Sequence, residues 1–182
     1  MVFGKNITLR HPHKISIGNN VMIDDNCILD AKGEDNKGIF IGNRVTMGRN
    51  SALTCKNGDI TIGSSVNITP SVQITVAPGG KIEIGDNVEI GSFSDFSAGT
   101  YNIEKSNILP SAQGRISRGI VVKDLVMIGA GVIVMDGVTI GRNSIIGAGS
   151  VITRSIPEHS VAFGVPAKVV RERRGKETEN VD

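Results

Sequence analysis

The side chains able to do chemistry are few in this sequence, and their spacing limits what they could do. There are three histidines: His11 and His13 flank Pro12 near the N-terminus, and His159 lies near the other end. A zinc centre needs three ligands converging around one open position. Two neighbours across a proline and one distant residue do not supply that, so a metalloenzyme is not expected. Cys27 and Cys55 stand among aliphatic residues and read as buried free thiols of a reducing compartment rather than a disulfide. Cations gather late in the chain, with Lys168, Arg171, Arg173, Arg174 and Lys176 inside ten residues. Such a run suits an anionic ligand, or simply a solvated face. The remaining reactive groups sit in or beside one stretch, residues 97–119, which holds the only tyrosine, Tyr101, with Glu104, Arg115 and Arg118; Asp95 comes just before it. An excursion of about twenty residues on a regular scaffold usually has a function.

The scaffold is written in the residues that follow. Taking every sixth position from Val122 gives Ile128, Val134, Ile140, Ile146 and Ile152, and Ile128, Ile140 and Ile146 are each followed by glycine. Neither a helical period nor plain alternation produces that spacing. A six-residue unit is a short strand plus a corner. Three units close a triangular coil of about eighteen residues, and stacked coils about 4.8 Å apart pair each strand with the one above and below. The same step runs through Ile17, Ile23 and Leu29, then Ile41, Met47 and Leu53, then Ile62, Ile68 and Ile74, then Ile84, Ile90 and Phe96. Polar, glycine-bearing patches at residues 31–38, 56–59 and 77–80 read as insertions at corners. Asn19, Asn43, Asn87 and Asn143 are expected at corners in the left-handed conformation.

The expected architecture is therefore all-β: residues 1–155 form a parallel β-helix with an inserted loop at about 97–119. Residues 156–182 break the repeat and should cap its open end, with a short helix from about Ala167 and a frayed tail at 177–182. Composition narrows the function. Net charge is +2, charged residues make up 21% and aromatics 3%, so base-stacking platforms are nearly absent and nucleic acid is not an expected partner. No apolar run reaches the ~18 residues of a membrane span, and no leader opens the chain. A cytoplasmic protein with no membrane insertion is expected.

From Val126 onward the sequence VMIGAGVIVMDGVTIGRNSIIGAGSVITRSIPEHSVAFGVPAKVVRER resembles the C-terminal signature of the hexapeptide-repeat acyltransferases. Residues 30–68 resemble their sugar O-acetyltransferase branch, which includes maltose and galactoside O-acetyltransferases and enzymes of polysaccharide pathways. The resemblance implies a left-handed coil, whereas general chirality rules favour right-handed crossovers. It also implies a homotrimer with sites between subunits, acetyl-CoA as donor and a sugar hydroxyl as acceptor. The pantetheine arm would lie on the corners Ala130-Gly131 and Ala148-Gly149. Thr153 and Arg154 match positions near the CoA nucleotide, and Lys168 and Arg171 match residues that meet its phosphates.

The resemblance breaks at the base. Family members carry a histidine in the loop before the clean repeats, and this chain has Tyr101 there. An unperturbed phenol titrates near ~10 and is a poor base at neutral pH. Three alternatives stand open. Tyr101 could donate a hydrogen bond while Asp95 or Glu104 serves as the base; a histidine such as His13 could come from a neighbouring subunit; or the protein could bind CoA or a sugar, or act as a scaffold, without turnover. A γ-type carbonic anhydrase of the same fold fails on its three-histidine zinc site. The expected catalytic residues are thus Tyr101, Asp95 and Glu104, with no metal.

Overall fold

The structure, a computed structural model, describes residues 1–173. The six-residue step does what its spacing requires. Val122, Ile128, Val134, Ile140, Ile146 and Ile152 are all buried, none more than 2% exposed. Each such side chain contributes ~1.5–3 kcal/mol by leaving water, and a shift of one residue would turn the whole column outward. The aliphatic column therefore fixes the register.

The chain is a left-handed parallel β-helix of about seven turns. Its three faces are a nine-stranded, a seven-stranded and a six-stranded sheet, here faces A, B and C. Each turn runs C to A to B. On face C, Ile17, Ile41, Ile62, Ile84, Val122 and Ile140 follow one another rung by rung. On face B, Leu29, Leu53, Ile74, Phe96, Val134 and Ile152 do the same.

The three corners differ in kind. At the C–A corner the left-handed positions are Asn20, Arg44, Ser65, Asn87, Leu125, Asn143 and His159. Asn87 and Asn143 are as expected, but Asn19 and Asn43 sit one residue too early. Their neighbours take the left-handed conformation, and the Asn19 N–H donates to Asn43 Oδ1 at 2.8 Å. The ladder continues through Ser64 Oγ, Asp86 Oδ1 and Asp124 Oδ1, each accepting the backbone N–H of the turn below. At the A–B corner the left-handed positions are Asn6, Asn26, Asn50, Ser71 and Phe93, then Gly131 and Gly149. The insertions all fall on the B–C corner: residues 31–38, 56–58, 77–80 and the longest, 99–119. One edge of the prism carries every excursion.

The C-terminal segment departs from expectation. Ile156 still bridges Ile140 on face C, and Ser160–Gly164 pairs in parallel with Ile145–Ile146 on face A, burying Ala162. Ala167–Glu172 is not a helix but a strand running antiparallel to Ser160–Gly164. The reason is the edge: Ser160–Gly164 would otherwise leave its backbone groups unpaired, and β-branched Val169 and Val170 favour the extended state. Gly164, at φ 109°, lets the chain reverse. The tail expected to fray, 177–182, lies outside the described residues. No helix of the described residues is long and apolar enough to cross a membrane.

Candidate active site

Residues 99–119 leave face B after Ala98 and rejoin the coil at Ile120 on face C. The loop folds back on itself as a two-stranded ribbon, with Thr100 opposite Ile116 and Tyr101 opposite Arg115. Its tip is tied by Gln113, whose side chain accepts from Lys105 N–H at 2.9 Å and donates to the Lys105 and Ile108 carbonyls. Its root is tied by Asp136 on the next turn. The Arg118 N–H donates to Asp136 Oδ2 at 2.9 Å, and the Gly119 N–H and Ser117 hydroxyl donate to Oδ1 at 3.0 and 3.3 Å. Gly119 is required there: φ is 83°, and a Cβ would lie 2.8 Å from the Lys81 carbonyl oxygen.

Held in this way, the loop forms one wall of a cleft of about 590 Å³ whose floor is the outer surface of face B. The three residues expected to be catalytic, Asp95, Tyr101 and Glu104, all line it. They differ in surroundings. Asp95 is half-buried at the start of Asp95–Ala98, with Gln73 on the rung below and Ile133 on the rung above. Burial alone pushes its carboxyl above the ordinary value of 3.8, since neither neighbour offers a charge to offset desolvation. Tyr101 is exposed, and the Arg115 guanidinium carbon lies 4.7 Å from its ring centroid. Glu104 is exposed, its N–H donating to Asn102 Oδ1 at 3.1 Å. No histidine lines the cleft.

The histidines are elsewhere. His11 Nδ1 is 3.4 Å from Asp30 Oδ1, and His13 is exposed beside it with ring centroids 6.4 Å apart. Asp30 reaches the cleft floor at Ser97 only across three rungs, through Thr54 and Thr75, or about 14 Å. His159 closes the C–A corner ladder, with Nδ1 3.0 Å from the Asn143 amide. Among the described residues no three His, Cys, Asp or Glu side chains converge as metal ligands.

The expected donor residues divide between two places. Ala130-Gly131 and Ala148-Gly149 stack directly, the Gly149 N–H donating to the Ala130 carbonyl at 2.8 Å. A Cβ on Gly149 would meet nothing within 4 Å, so this corner is open to a thin ligand. It adjoins the cleft, because Ile133, directly above Asp95, comes two residues after Gly131. Lys168 and Arg171 are both exposed on the strand that ends face A; Lys168, opposite Phe163, stands above the same corner, and Arg171, opposite Val161, lies toward the C–A end. Thr153 and Arg154 lie apart, exposed at the far end of face B where the chain turns toward face C. The sequence assigns Arg118 no specific role and does not single out Asp136 or Gln113. Asp136-Gly137 was a visible turn signal, but nothing in the spacing of Gln113 pointed to its three hydrogen bonds.

Residues 119–154 match the family model described as bacterial transferase hexapeptide (six repeats). The chain is 33% identical over 163 residues to the dTDP-4-amino-4,6-dideoxy-D-glucose acyltransferase of Escherichia coli, spanning 89% of this chain and 73% of that protein. Among solved structures it resembles a single-site variant of AntD, an N-acyltransferase from Bacillus cereus in complex with dTDP-4-amino-4,6-dideoxyglucose and coenzyme A. That likeness has 25% identity and a TM-score of 0.66, covering 96% of this chain and 81% of the other. The fold is also that of the polysialic acid O-acetyltransferase OatWY, at 20% identity and a TM-score of 0.65 over 100% of this chain and 94% of that one.

Proposed function

The chain belongs to the hexapeptide-repeat bacterial transferases, and from that premise we propose that it moves an acyl group from an acyl-CoA onto the amine of a sugar nucleotide in the face B cleft. The observation that carries this reading is the cleft's set of proton acceptors, which are carboxylates with no imidazole. A hydroxyl resembles water, titrating near ~16, and needs a strong base as it attacks. An amine titrating near ~8 is about one-tenth free base at pH 7, so the attacking form is populated without a strong base, and a further proton must be lost only after attack. A half-buried carboxylate such as Asp95 is adequate for that. Two of the three proteins named above act on, or hold, a 4-amino sugar nucleotide, and that acceptor is the first to test here.

In this reading the amine nitrogen attacks the thioester carbonyl and the carbon–sulfur bond breaks. Asp95 takes the proton from nitrogen and the CoA thiolate leaves, to be protonated by solvent. The Tyr101 hydroxyl serves as a hydrogen-bond donor on the cleft wall, and Glu104 helps hold the cationic amine, which loses one proton to solvent before the neutral nitrogen attacks. The donor descends the A–B corner, its phosphates near Lys168 and Arg171 and its pantetheine over Gly149 and Gly131. From Asp95 to the terminal strand of face A is four rungs, about 19 Å, which suits an extended arm. Thr153 and Arg154 would meet the CoA nucleotide only across a subunit boundary. That arrangement goes with a homotrimer, and a cytoplasmic location goes with an acyl-CoA donor.

Acetyl transfer to a sugar hydroxyl is the second reading, favoured by the Tyr101 phenol beside two carboxylates. It requires Asp95 or Glu104 to act as a full general base. The test is CoA release with acetyl-CoA or 3-hydroxybutyryl-CoA, using dTDP-4-amino-4,6-dideoxyglucose against the 4-hydroxy sugar nucleotide. Release with the amine alone supports the first reading. Release with the hydroxyl alone replaces it by the second. No CoA binding at millimolar concentration would leave a scaffold.

A further inference from the structure

We infer that Arg118 is the anion-recognition residue of the cleft, and that the acceptor carries its phosphate at the end of the cleft opposite Asp95. The inference rests on the acceptor-cleft reading above and adds to it the substrate's charge and orientation. Three observations carry it.

Among the described residues Arg118 is the one cation lining the cleft, beside Asp95, Glu104 and Asp136. No carboxylate of the described residues lies within 4 Å of its guanidinium. Asp136 is engaged instead by the backbone N–H groups of Arg118 and Gly119 and by the Ser117 hydroxyl. An arginine held beside carboxylates yet paired with none keeps its fork of donors free for a ligand oxyanion.

The Arg118 side chain is exposed, but its base is anchored. Its backbone is fixed by Asp136, and its stem lies across Gly137, where an added Cβ would approach the Arg118 Cδ to 3.3 Å and Cβ to 3.5 Å. Glycine at 137 leaves the room the stem occupies. Less rotamer freedom is then lost when the guanidinium binds.

The two ends of the cleft are chemically distinct. Asp95 opens the strand Asp95–Ala98, and Arg118 rejoins the prism past its other end. The strand's three steps span about 10 Å. A pyranose bearing an amine at C4 and a phosphate at C1 has opposite charges at opposite ends of the ring. It can lie along this floor with nitrogen at Asp95 and phosphate at Arg118.

Phosphate could come from the acceptor or from CoA, and the test separates them. Calorimetric titration of the full chain with dTDP, and separately with CoA, is compared for wild type, Arg118→Gln, Arg118→Lys and Asp136→Asn. Loss of a charge-assisted hydrogen bond of ~1.5–3 kcal/mol corresponds to ~10- to 100-fold. Arg118→Gln is expected to weaken dTDP by that factor and leave CoA within twofold, with Arg118→Lys recovering part. Asp136→Asn, acting through position, is expected to weaken dTDP less and to leave CoA unchanged. Equal loss for both ligands, loss for CoA alone, or no loss for dTDP overturns the assignment. Unchanged thermal melting of Arg118→Lys guards against misfolding. Because dTDP binding needs no turnover, Arg118-dependent binding without acyl transfer would refute the proposed reaction and keep the anion site.

Discussion

Asp95 and Ile133 stand on adjacent rungs of face B, so the carboxylate is covered from above by an aliphatic side chain and from below by neutral Gln73. Desolvation raises its folded-state pKa above 3.8. The native state then holds the Asp95 proton more tightly than the unfolded chain does. Ionising it costs stability, and that stability is lost as pH rises from the ordinary value through the raised one. Asp95→Asn should therefore melt higher than wild type at pH 7 and equal to it near pH 3. The same change should lower kcat by ~10²- to 10⁴-fold. A lower melting temperature at pH 7 would contradict the burial argument.

Tyr101 divides into ring and hydroxyl. The ring meets Arg115, an exposed cation–π contact of ~0.5–1 kcal/mol, and Tyr101→Phe preserves it. That variant should fold as wild type, with kcat lowered ~10²-fold if the hydroxyl stabilises developing charge. Tyr101→Leu should in addition be cut faster in the loop by a trace of protease. Full activity in Tyr101→Phe removes the hydroxyl from the chemistry.

The coil was legible because a single period governs it: Val122 through Ile152 are buried at each sixth step, and no tertiary contact had to be known. The insertions were legible as departures from that period. Three readings failed or fell short where a neighbour decided the outcome. The strand Ala167–Glu172 forms because Ser160–Gly164 offers it an open edge, which the local Pro166-Ala167 signal did not reveal. Asn43 acts through its side-chain oxygen, which accepts the Asn19 N–H of the turn below, rather than through its own backbone angles. Arg118 lies 20 residues past the end of the strand Asp95–Ala98 and Asp136 lies 38 past it; the return of the loop brings the first to it, and the stacking of the next turn brings the second.

Core and corner substitutions should separate stability from function. Phe96 is fully buried between Ile74 and Val134, and Phe96→Ala is expected to cost ~3–5 kcal/mol in denaturant unfolding. Gly119→Ala forces a Cβ into the Lys81 carbonyl at positive φ. It should cost ~1–3 kcal/mol and raise KM for the acceptor more than for the donor. Equal effects on both would mean that the loop root does not shape the acceptor side.

Cys55 should be silent in a thiol assay. Burial raises its pKa to about 11, so at pH 8 only about one thiol in a thousand is ionised. Cys27 is likewise buried, with its pKa raised by desolvation. Neither is expected to react with a disulfide reagent until the protein is unfolded, when both should. Rapid reaction of either in the native protein would contradict their burial.

The most direct measurement is the mass of the product formed from acetyl-CoA and dTDP-4-amino-4,6-dideoxyglucose, with released CoA thiol counted in parallel. One acetyl group on the amine per thiol released, abolished in Asp95→Asn, is the result expected. Acetylation of a sugar hydroxyl, or undiminished transfer by Asp95→Asn, would contradict a carboxylate-assisted amine acceptor in the face B cleft.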